Sequence, residues 1–450
     1  MTKSLIQTNR RRFLRGTAAS IAAFSFFPGH VLGLHGATSP NNKLNLACIG
    51  IGGRGGDDIN ELTSENIVAL CDVDAKQGGK NFERFPEAKR YQDFRKMLDE
   101  MDKQIDAVLV ATADHTHAVA LMKAIKMRKH VYSEKPLAHS IHEIRTIMAA
   151  ARIYKVTTQL GNQGHSFDSI RQFKEWVADG AIGTVREIHA FCGNSYSRMD
   201  RLDQIKQNDG PAPDTLNWDL WLGPAQYRPF NPAYVPGKWR GWMPFGTGII
   251  GDWTCHVVDP VFWTLDLGAP TTIEAETGDY DPIKHADTFP KASIVRYEFP
   301  ARGARPAVKL TWYDGTQRPA RPEELEKGKE LPSIGALVEG DKGKILYGSH
   351  GAAGLRILPE SRRLEYKEPA HTIPKSPGHH KEWIDACKGG KPAGSNFDYG
   401  GPLAEIALLG IIAIRMKGKK LKWDSKSVKF TNCDEANALL NPPYRKGWSL

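Results

Sequence analysis

Three residues carry the side chains needed to handle a hydroxyl proton: Lys135, Asp252 and His256. Lys135 sits in Glu134-Lys135-Pro136, directly after the short apolar run His130 to Ser133. The proline stiffens the backbone there. Partly desolvated, an ammonium in that place is expected to have a lowered pKa and to polarise or deprotonate a substrate hydroxyl. The alternative is a solvated lysine paired with Glu134. Asp252 and His256 lie four apart in Gly251-Asp252-Trp253-Thr254-Cys255-His256, so on a helix they share one face. A carboxylate so placed can orient the imidazole and raise its basicity, giving a general base. The alternative is a capped helix start with a satisfied core histidine. As metal ligands the pair is under-supplied, no third ligand is evident, and no metal is expected.

A second group is built for phosphate. The apolar stretch Leu44 to Ile49 runs into Gly50-Ile51-Gly52-Gly53-Arg54-Gly55. Gly50 lets the chain turn tightly off a strand, Gly52 lets a pyrophosphate approach the backbone, and Gly55 lets the next helix pack closely with its N–H groups toward the phosphates. Asn66 to Cys71 is a second apolar run and ends in Asp72, about 20 residues on, where a ribose-binding acid is expected. Asp72 favours NAD over NADP, because it would repel a 2′-phosphate. A purely structural glycine turn is the competing interpretation. Two more clusters follow apolar runs: Thr112-Ala113-Asp114-His115-Thr116-His117 and Asn162-Gln163-Gly164-His165. In a parallel sheet such positions lie beyond the carboxyl ends of strands, where ligands bind.

These groups need a frame. From Lys43 the pattern alternates: strand 44–49, helix about 55–62, strand 66–71, helix about 74–83, helix 94–101, strand 107–111, helix 117–127, strand 130–133, helix 142–154 and strand 157–160. Alternation of this kind argues for a doubly wound parallel sheet over 43–165. The remainder, 166–450, reads differently. A helix is expected at 170–178 and a strand at 181–192, followed by a long Pro-, Gly- and Trp-rich stretch, 193–243, of the sort that is usually functional. One helix is expected over 252–265. Alternating runs at 272–276, 292–299, 308–313, 335–339 and 343–347 read as an antiparallel sheet, and helices at 380–387 and 403–416 as returning to the interdomain seam. Six of the eleven tryptophans fall between Trp218 and Trp263. Flat indoles suit sugar faces and suit packing equally. Tyr196, Arg198, Lys238, Arg240 and Trp253 lie in the same region as candidate substrate contacts.

The net charge of +10 does not point to nucleic acid. Lys3, Arg10, Arg11, Arg12 and Arg15, with no acid before Lys43, account for half of it, and no basic run with interleaved aromatics follows. Arg10-Arg11-Arg12-Phe13-Leu14 before the apolar run Ala18 to Phe27 looks like a twin-arginine export signal over 1–36. That implies an exported, periplasmic protein; a disordered basic arm or an uncleaved anchor is the alternative. The apolar run is too short for a confident membrane span. The six cysteines show no CxxC spacing, so neither a zinc knuckle nor a disulfide scaffold is indicated.

Taken in order, Gly50-Ile51-Gly52-Gly53-Arg54-Gly55, Ala111-Thr112-Ala113-Asp114-His115-Thr116-His117, Glu134-Lys135-Pro136 and Gly251-Asp252-x-x-x-His256 resemble the Gfo/Idh/MocA family. These are the relatives of glucose–fructose oxidoreductase and inositol dehydrogenase. The resemblance implies an α/β protein: an N-terminal Rossmann domain and a C-terminal α/β domain on an open, mostly antiparallel sheet that serves as a homo-oligomer interface. It implies that Lys135 is the catalytic-site lysine, that Asp252 and His256 are the Asp/His pair, and that Glu134 and His117 lie near the cofactor. The expected activity is hydride transfer between a sugar or polyol hydroxyl and a tightly held NAD. An NAD-dependent glycosidase or lyase working through a transient keto-sugar, and a noncatalytic nucleotide- or sugar-binding protein, are the alternatives. The tail Asn441-Pro442-Pro443-Tyr444-Arg445-Lys446-Gly447-Trp448 resembles exported members.

Overall fold

The structure, a computed structural model, describes residues 42–206 and 210–450. The expected export signal, 1–36, lies outside the described residues. The first part runs Asn45–Ile49 (β1), Gly53–Glu61 (α1), Asn66–Cys71 (β2), Ala75–Arg84 (α2), Lys89–Tyr91 (β3), Phe94–Met101 (α3), Ala107–Val110 (β4), Asp114–Lys126 (α4), His130–Ser133 (β5), Ile141–Tyr154 (α5) and Thr158–Leu160 (β6). All six strands are parallel, in the order β3-β2-β1-β4-β5-β6. The order reverses between β1 and β4, which opens a crevice at their carboxyl ends. Apolar runs without alternation form these strands because both faces are covered; β4, Ala-Val-Leu-Val, is wholly buried. Strand β3 carries Lys89 and Arg90 and is mostly exposed, so it had no hydrophobic signal. Helix α4 begins three residues earlier than expected. Asp114 joins its first turn and accepts from Thr247 N (3.0 Å) and Thr247 Oγ1 (2.6 Å).

The second part runs Asp168–Ala178 (α6), Val185–Cys192 (β7), Trp218–Leu222 (α7), Gly248–Val257 (α8), Asp259–Leu265 (α9), Thr272–Glu276 (β8), Ile294–Phe299 (β9), Val308–Asp314 (β10), Ile334–Gly340 (β11), Gly343–Gly348 (β12), Arg356–Leu358 (β13), Glu360–Glu365 (α10), His379–Cys387 (α11), Phe397–Arg415 (α12), Leu421–Asp424 (β14), Lys429–Phe430 (β15) and Asp434–Asn437 (α13). The nine-stranded sheet has the order β13-β12-β11-β7-β10-β9-β8-β14-β15. It is antiparallel except for the pair β7 and β10, which run parallel with Leu310 opposite Ile188. The single helix expected over 252–265 is two, α8 and α9, with Pro260 in the first turn of the second, where its missing N–H costs nothing.

Helix α12 starts six residues before the expected position because Asn396 caps it, accepting from Asp398 N (3.0 Å), and Pro402 is carried inside. It is long and apolar enough to cross a membrane by composition, and 78% of that window is buried in the protein. Its neighbours include α5, α8 and β8, so one helix touches both domains. Helix α11 also returns: Trp383 (0% exposed) and Ile384 pack with Leu46, Cys48, Leu70 and Leu109 on one face of the parallel sheet. All six cysteines are free.

Candidate active site

The crevice is a cleft of about 740 Å³ lined from both domains. At its floor β1 ends in Gly50, whose φ of +78° suits glycine and whose N–H donates to Cys71 O (2.8 Å). A Cβ on Gly55 would lie 1.8 Å from Gly50 O, and one on Gly52 2.9 Å from Gln77 O. The turn therefore closes only with bare backbone at both positions. Helix α1 starts at Gly53 with no side-chain cap on its N-terminus, leaving its first N–H groups for an anion. Asp72 is held by Ile51 N (3.0 Å) and Asp74 N (3.0 Å), which donate to its two oxygens. Backbone cradle, uncapped helix and fixed acid fit a dinucleotide.

Behind the cradle lies a buried polar cluster. Glu134 Oε1 accepts from Gln163 Nε2 (2.7 Å) and Arg54 Nε (3.2 Å). Arg54 also donates to Asp58 (2.6 Å), and His380 Nε2 of α11 is 3.1 Å from the same Asp58 oxygen. Burial pushes the Glu134 carboxyl up to about 7, with the Asp58 charge adding to it. Burial likewise raises Asp58 to about 6 against the pull of Arg54.

On the opposite wall, Lys135 Nζ donates to Asp252 Oδ1 (2.5 Å) and to Asp252 O (3.1 Å). Tyr196 OH donates to Asp252 Oδ2 (2.7 Å), and Arg240 Nε stands 3.8 Å from Oδ1. Burial alone would lower the Lys135 ammonium, but the Asp252 and Glu134 carboxylates outweigh it and its pKa is raised. The expected lowering is corrected: Asp252 was not foreseen as a partner of Lys135, and with that carboxylate beside it Lys135 is a cation at neutral pH. Burial would raise Asp252, yet Lys135 and Arg240 hold it below the usual carboxylate range. The expected Asp252–His256 pairing is also corrected. The carboxylate is taken by Lys135 and Tyr196, and His256 Nδ1 has no hydrogen-bond partner. Burial first, then the Lys135 charge, lowers the His256 pKa well below its ordinary value, so the imidazole is neutral. Its ring faces His350, centroids 4.2 Å apart.

Most of the expected residues come together. Gly50, Gly52, Gly53, Arg54, Asp72 and Thr112 line the cleft, as do Glu134, Lys135, Gln163, Tyr196, Arg240, Asp252, Trp253 and His256. Four do not. Gly55 lies beneath the turn, against Gly50. His117 is buried (1% exposed) with Nδ1 2.8 Å from Pro136 O and Nε2 3.0 Å from Thr112 O; it braces two cleft loops rather than facing a cofactor. Lys238 Nζ donates to Pro232 O (3.0 Å), and Arg198 packs on Gly241. The tryptophans divide: Trp221, Trp239 and Trp253 line the cleft, whereas Trp242 is core (1% exposed). Sequence reasoning missed His350, Gln77 and Leu216, which also line it. His350 stands at φ +58° directly before Gly351, and a histidine–glycine corner after a strand was the one available signal.

Two domains with this cleft between them, the first a parallel sheet with a glycine cradle at its switch point, define a protein of the Rossmann nucleotide-binding class. Residues 44–162 match the profile described as "Oxidoreductase family, NAD-binding Rossmann fold", and residues 168–450 match "Oxidoreductase family, C-terminal alpha/beta domain". The chain belongs to the Gfo/Idh/MocA family. Among curated relatives it is 23% identical over 166 residues to 2,7-anhydro-N-acetylneuraminate hydratase of Escherichia coli, covering 37% of this chain and 44% of the relative. It is 28% identical over 152 residues to inositol 2-dehydrogenase of Salmonella paratyphi B, covering 32% and 45%. The chain thus spans less than half the length of these relatives. Its fold is similar to that of an inositol dehydrogenase homologue from Azotobacter vinelandii solved with NADH and myo-inositol: TM-score 0.55, 14% identity, 85% of this chain and 98% of the other.

Proposed function

We propose that the protein oxidises a sugar or polyol hydroxyl to a carbonyl by hydride transfer to NAD, and reduces a carbonyl in the reverse direction. The observation that carries this is a charged Lys135, fixed 2.5 Å from Asp252, sharing a cleft with an unpartnered, neutral His256 and with the glycine cradle. Bound NAD would supply the hydride acceptor, so that a CH–OH becomes C=O as hydride and a proton depart. His256 takes the hydroxyl proton. Lys135 stabilises the alkoxide oxygen by its charge. Asp252 and Tyr196 hold the lysine in place, and Trp239 and Trp253 offer apolar faces to the ring. Asp72 selects NAD over NADP.

The leader sequence supports export with the cofactor already loaded, and a retained cofactor has to be reoxidised in place. We infer a closed redox cycle in which one sugar is oxidised and another reduced, or one sugar is oxidised transiently. The name of the hydratase relative favours the second form, in which a transient keto group acidifies the neighbouring C–H and permits elimination. Self-association through the nine-stranded sheet, whose exposed face carries Arg296 and Lys309 on its inner strands, is part of the same proposal. The domain boundary near 165 and the leader over 1–36 belong to the same proposal. The test is to denature purified protein, identify the released nucleotide, and screen sugars for absorbance change at the bound cofactor. Net reduction by one sugar and reoxidation by another supports the oxidoreductase; glycoside cleavage without net cofactor change selects the elimination route. Turnover unchanged in Lys135→Ala would mean a site with no catalytic lysine.

A further inference from the structure

The carboxyl-terminal tail and one loop of the second domain meet over the Asp72 end of the cleft. The loop is 213–222. Ala75 N–H donates to Thr215 O (2.9 Å) and Asn217 N–H to Val73 O (2.8 Å), which makes Asp74 and Leu216 an isolated antiparallel bridge. Leu216, 8% exposed, therefore lies across the wall that carries Asp72 and Gln77. Asn217 caps α7, accepting from Leu220 N (3.1 Å), and Trp218 and Trp221 stack 4.8 Å apart behind it. The tail clasps this helix. Arg445 Nε donates to Gly223 O (3.1 Å) and Nη2 to Asp219 O (3.0 Å), Nη1 pairs with the Asp219 carboxylate, and Arg445 N–H donates to Pro224 O (2.9 Å). Three residues on, the tail is fastened to the first domain: the Arg95 guanidinium sits 4.4 Å over the Trp448 ring, and the Phe94 ring 6.1 Å from it. Phe94 itself lines the cleft.

We propose that loop 213–222 is a strap over the ribose–adenine end of bound NAD, and that Arg445 is a positioning residue that buckles it. The proposal rests on the NAD site described above and adds how that site keeps its ligand. The strap is tied at two points to the turn that presents Asp72, and its helix is held by the fork of one guanidinium, which bonds two carbonyls and a carboxylate in fixed geometry. Dissociation then requires the strap to lift, and lifting it breaks the bridge and the buckle together.

The test is NADH release from the full-length holoprotein, followed by loss of bound-NADH fluorescence after a chase with excess NAD. Arg445→Ala is expected to release NADH at least tenfold faster, and Arg445→Lys to fall between, since it keeps the charge and loses the fork. A second variant, Asp74→Cys with Leu216→Cys, joins a bridge pair whose flanking hydrogen bonds leave the two residues directly opposed, a spacing that suits a disulfide. Its oxidised form is expected to release NADH at least tenfold slower than the same protein reduced, a contrast that a general loss of stability would not produce. Release from Arg445→Ala within twofold of the parent overturns the proposal. So does equal release from the oxidised and reduced double variant, or failure of its cysteines to join in folded protein. If Arg445→Ala does not fold, the disulfide contrast decides alone. A parent protein that binds no NADH, while the cysteines still join, overturns the nucleotide site itself and the strap's purpose with it.

Discussion

Replacing Lys135 by Met removes the ammonium and leaves its stem, so the effect isolates charge. The partner, Asp252, then remains in the cleft wall with Tyr196 and with Arg240, whose Nε is 3.8 Å from Oδ1. The side chains of the pair are 14% and 16% exposed, which places it between two limits. An exposed pair contributes about 0–1 kcal/mol, and breaking a buried pair costs about 3–5 kcal/mol. With Tyr196 still donating to the stranded carboxylate, Lys135→Met is expected to cost about 2–3 kcal/mol. Asp252→Asn should cost a similar amount by stranding the ammonium, but the double variant should cost much less than the sum, giving a coupling of about 1.5–2 kcal/mol. Urea unfolding of the four proteins with saturating NAD, read by tryptophan fluorescence, measures it. The pH window follows from the shifts. Asp252 is depressed, so its contribution is present above the unfolded value of about 3.9 and is lost as pH falls through the lower folded value. Lys135 is raised, so its contribution is present below about 10.4 and lost as pH rises through the higher folded value. The coupling should therefore be flat between about pH 5 and 9. Costs that add to within about 0.5 kcal/mol, or a coupling that vanishes near pH 6, would refute the pairing as the element that fixes Lys135.

Gly55→Ala puts a methyl 1.8 Å from Gly50 O; the turn must open, and titration with NADH should show binding lost or weakened at least about a hundredfold, about 2.7 kcal/mol by the affinity scale. Asp72→Ala removes the acceptor for ribose hydroxyls and the charge that opposes a 2′-phosphate. Its NAD affinity should fall about tenfold while NADP affinity holds or rises, as parallel titrations would show; an unchanged ratio would remove Asp72 from the nucleotide site. Glu134→Gln should change the pH dependence of stability. With Glu134 raised to about 7 from 4.5, the folded state holds the extra proton, so stability falls as pH rises between those values. The glutamine variant should show a shallower fall over that window in pH-stepped urea curves.

Five of the six strands of the parallel sheet were legible because they are short, mostly apolar runs, a pattern set by burial on both faces; β3, Lys-Arg-Tyr at an exposed edge, was not. The cleft's main groups were legible for a related reason: Gly50, Asp72, Lys135 and Gln163 all follow such runs, and the topology sends every strand end to one rim. What failed was pairing across the chain. Lys135 and Asp252 are 117 residues apart, and helix spacing offered Asp252 a local partner, His256, that the tertiary fold declined. His117 was placed near the cofactor by the family resemblance alone, and its ring is instead held between two backbone carbonyls, Pro136 O and Thr112 O. Arg198 and Lys238 belong to a stretch without periodicity, so nothing in their spacing said which way they would turn. Helix α12 was entered late because Gly400-Gly401-Pro402 reads as a break when its cap, Asn396, is not noticed.

Helix α11 has a consequence for how the molecule comes into being. The face of the parallel sheet on which α1 and α2 pack is completed by Trp383 and Ile384, more than two hundred residues downstream of β6. A ribosome that has released residues 43–165 has therefore released a sheet with one flank bare. A fragment ending near residue 165 would therefore lack the cover that Trp383 and Ile384 give to that face, and should expose apolar surface that the whole chain hides.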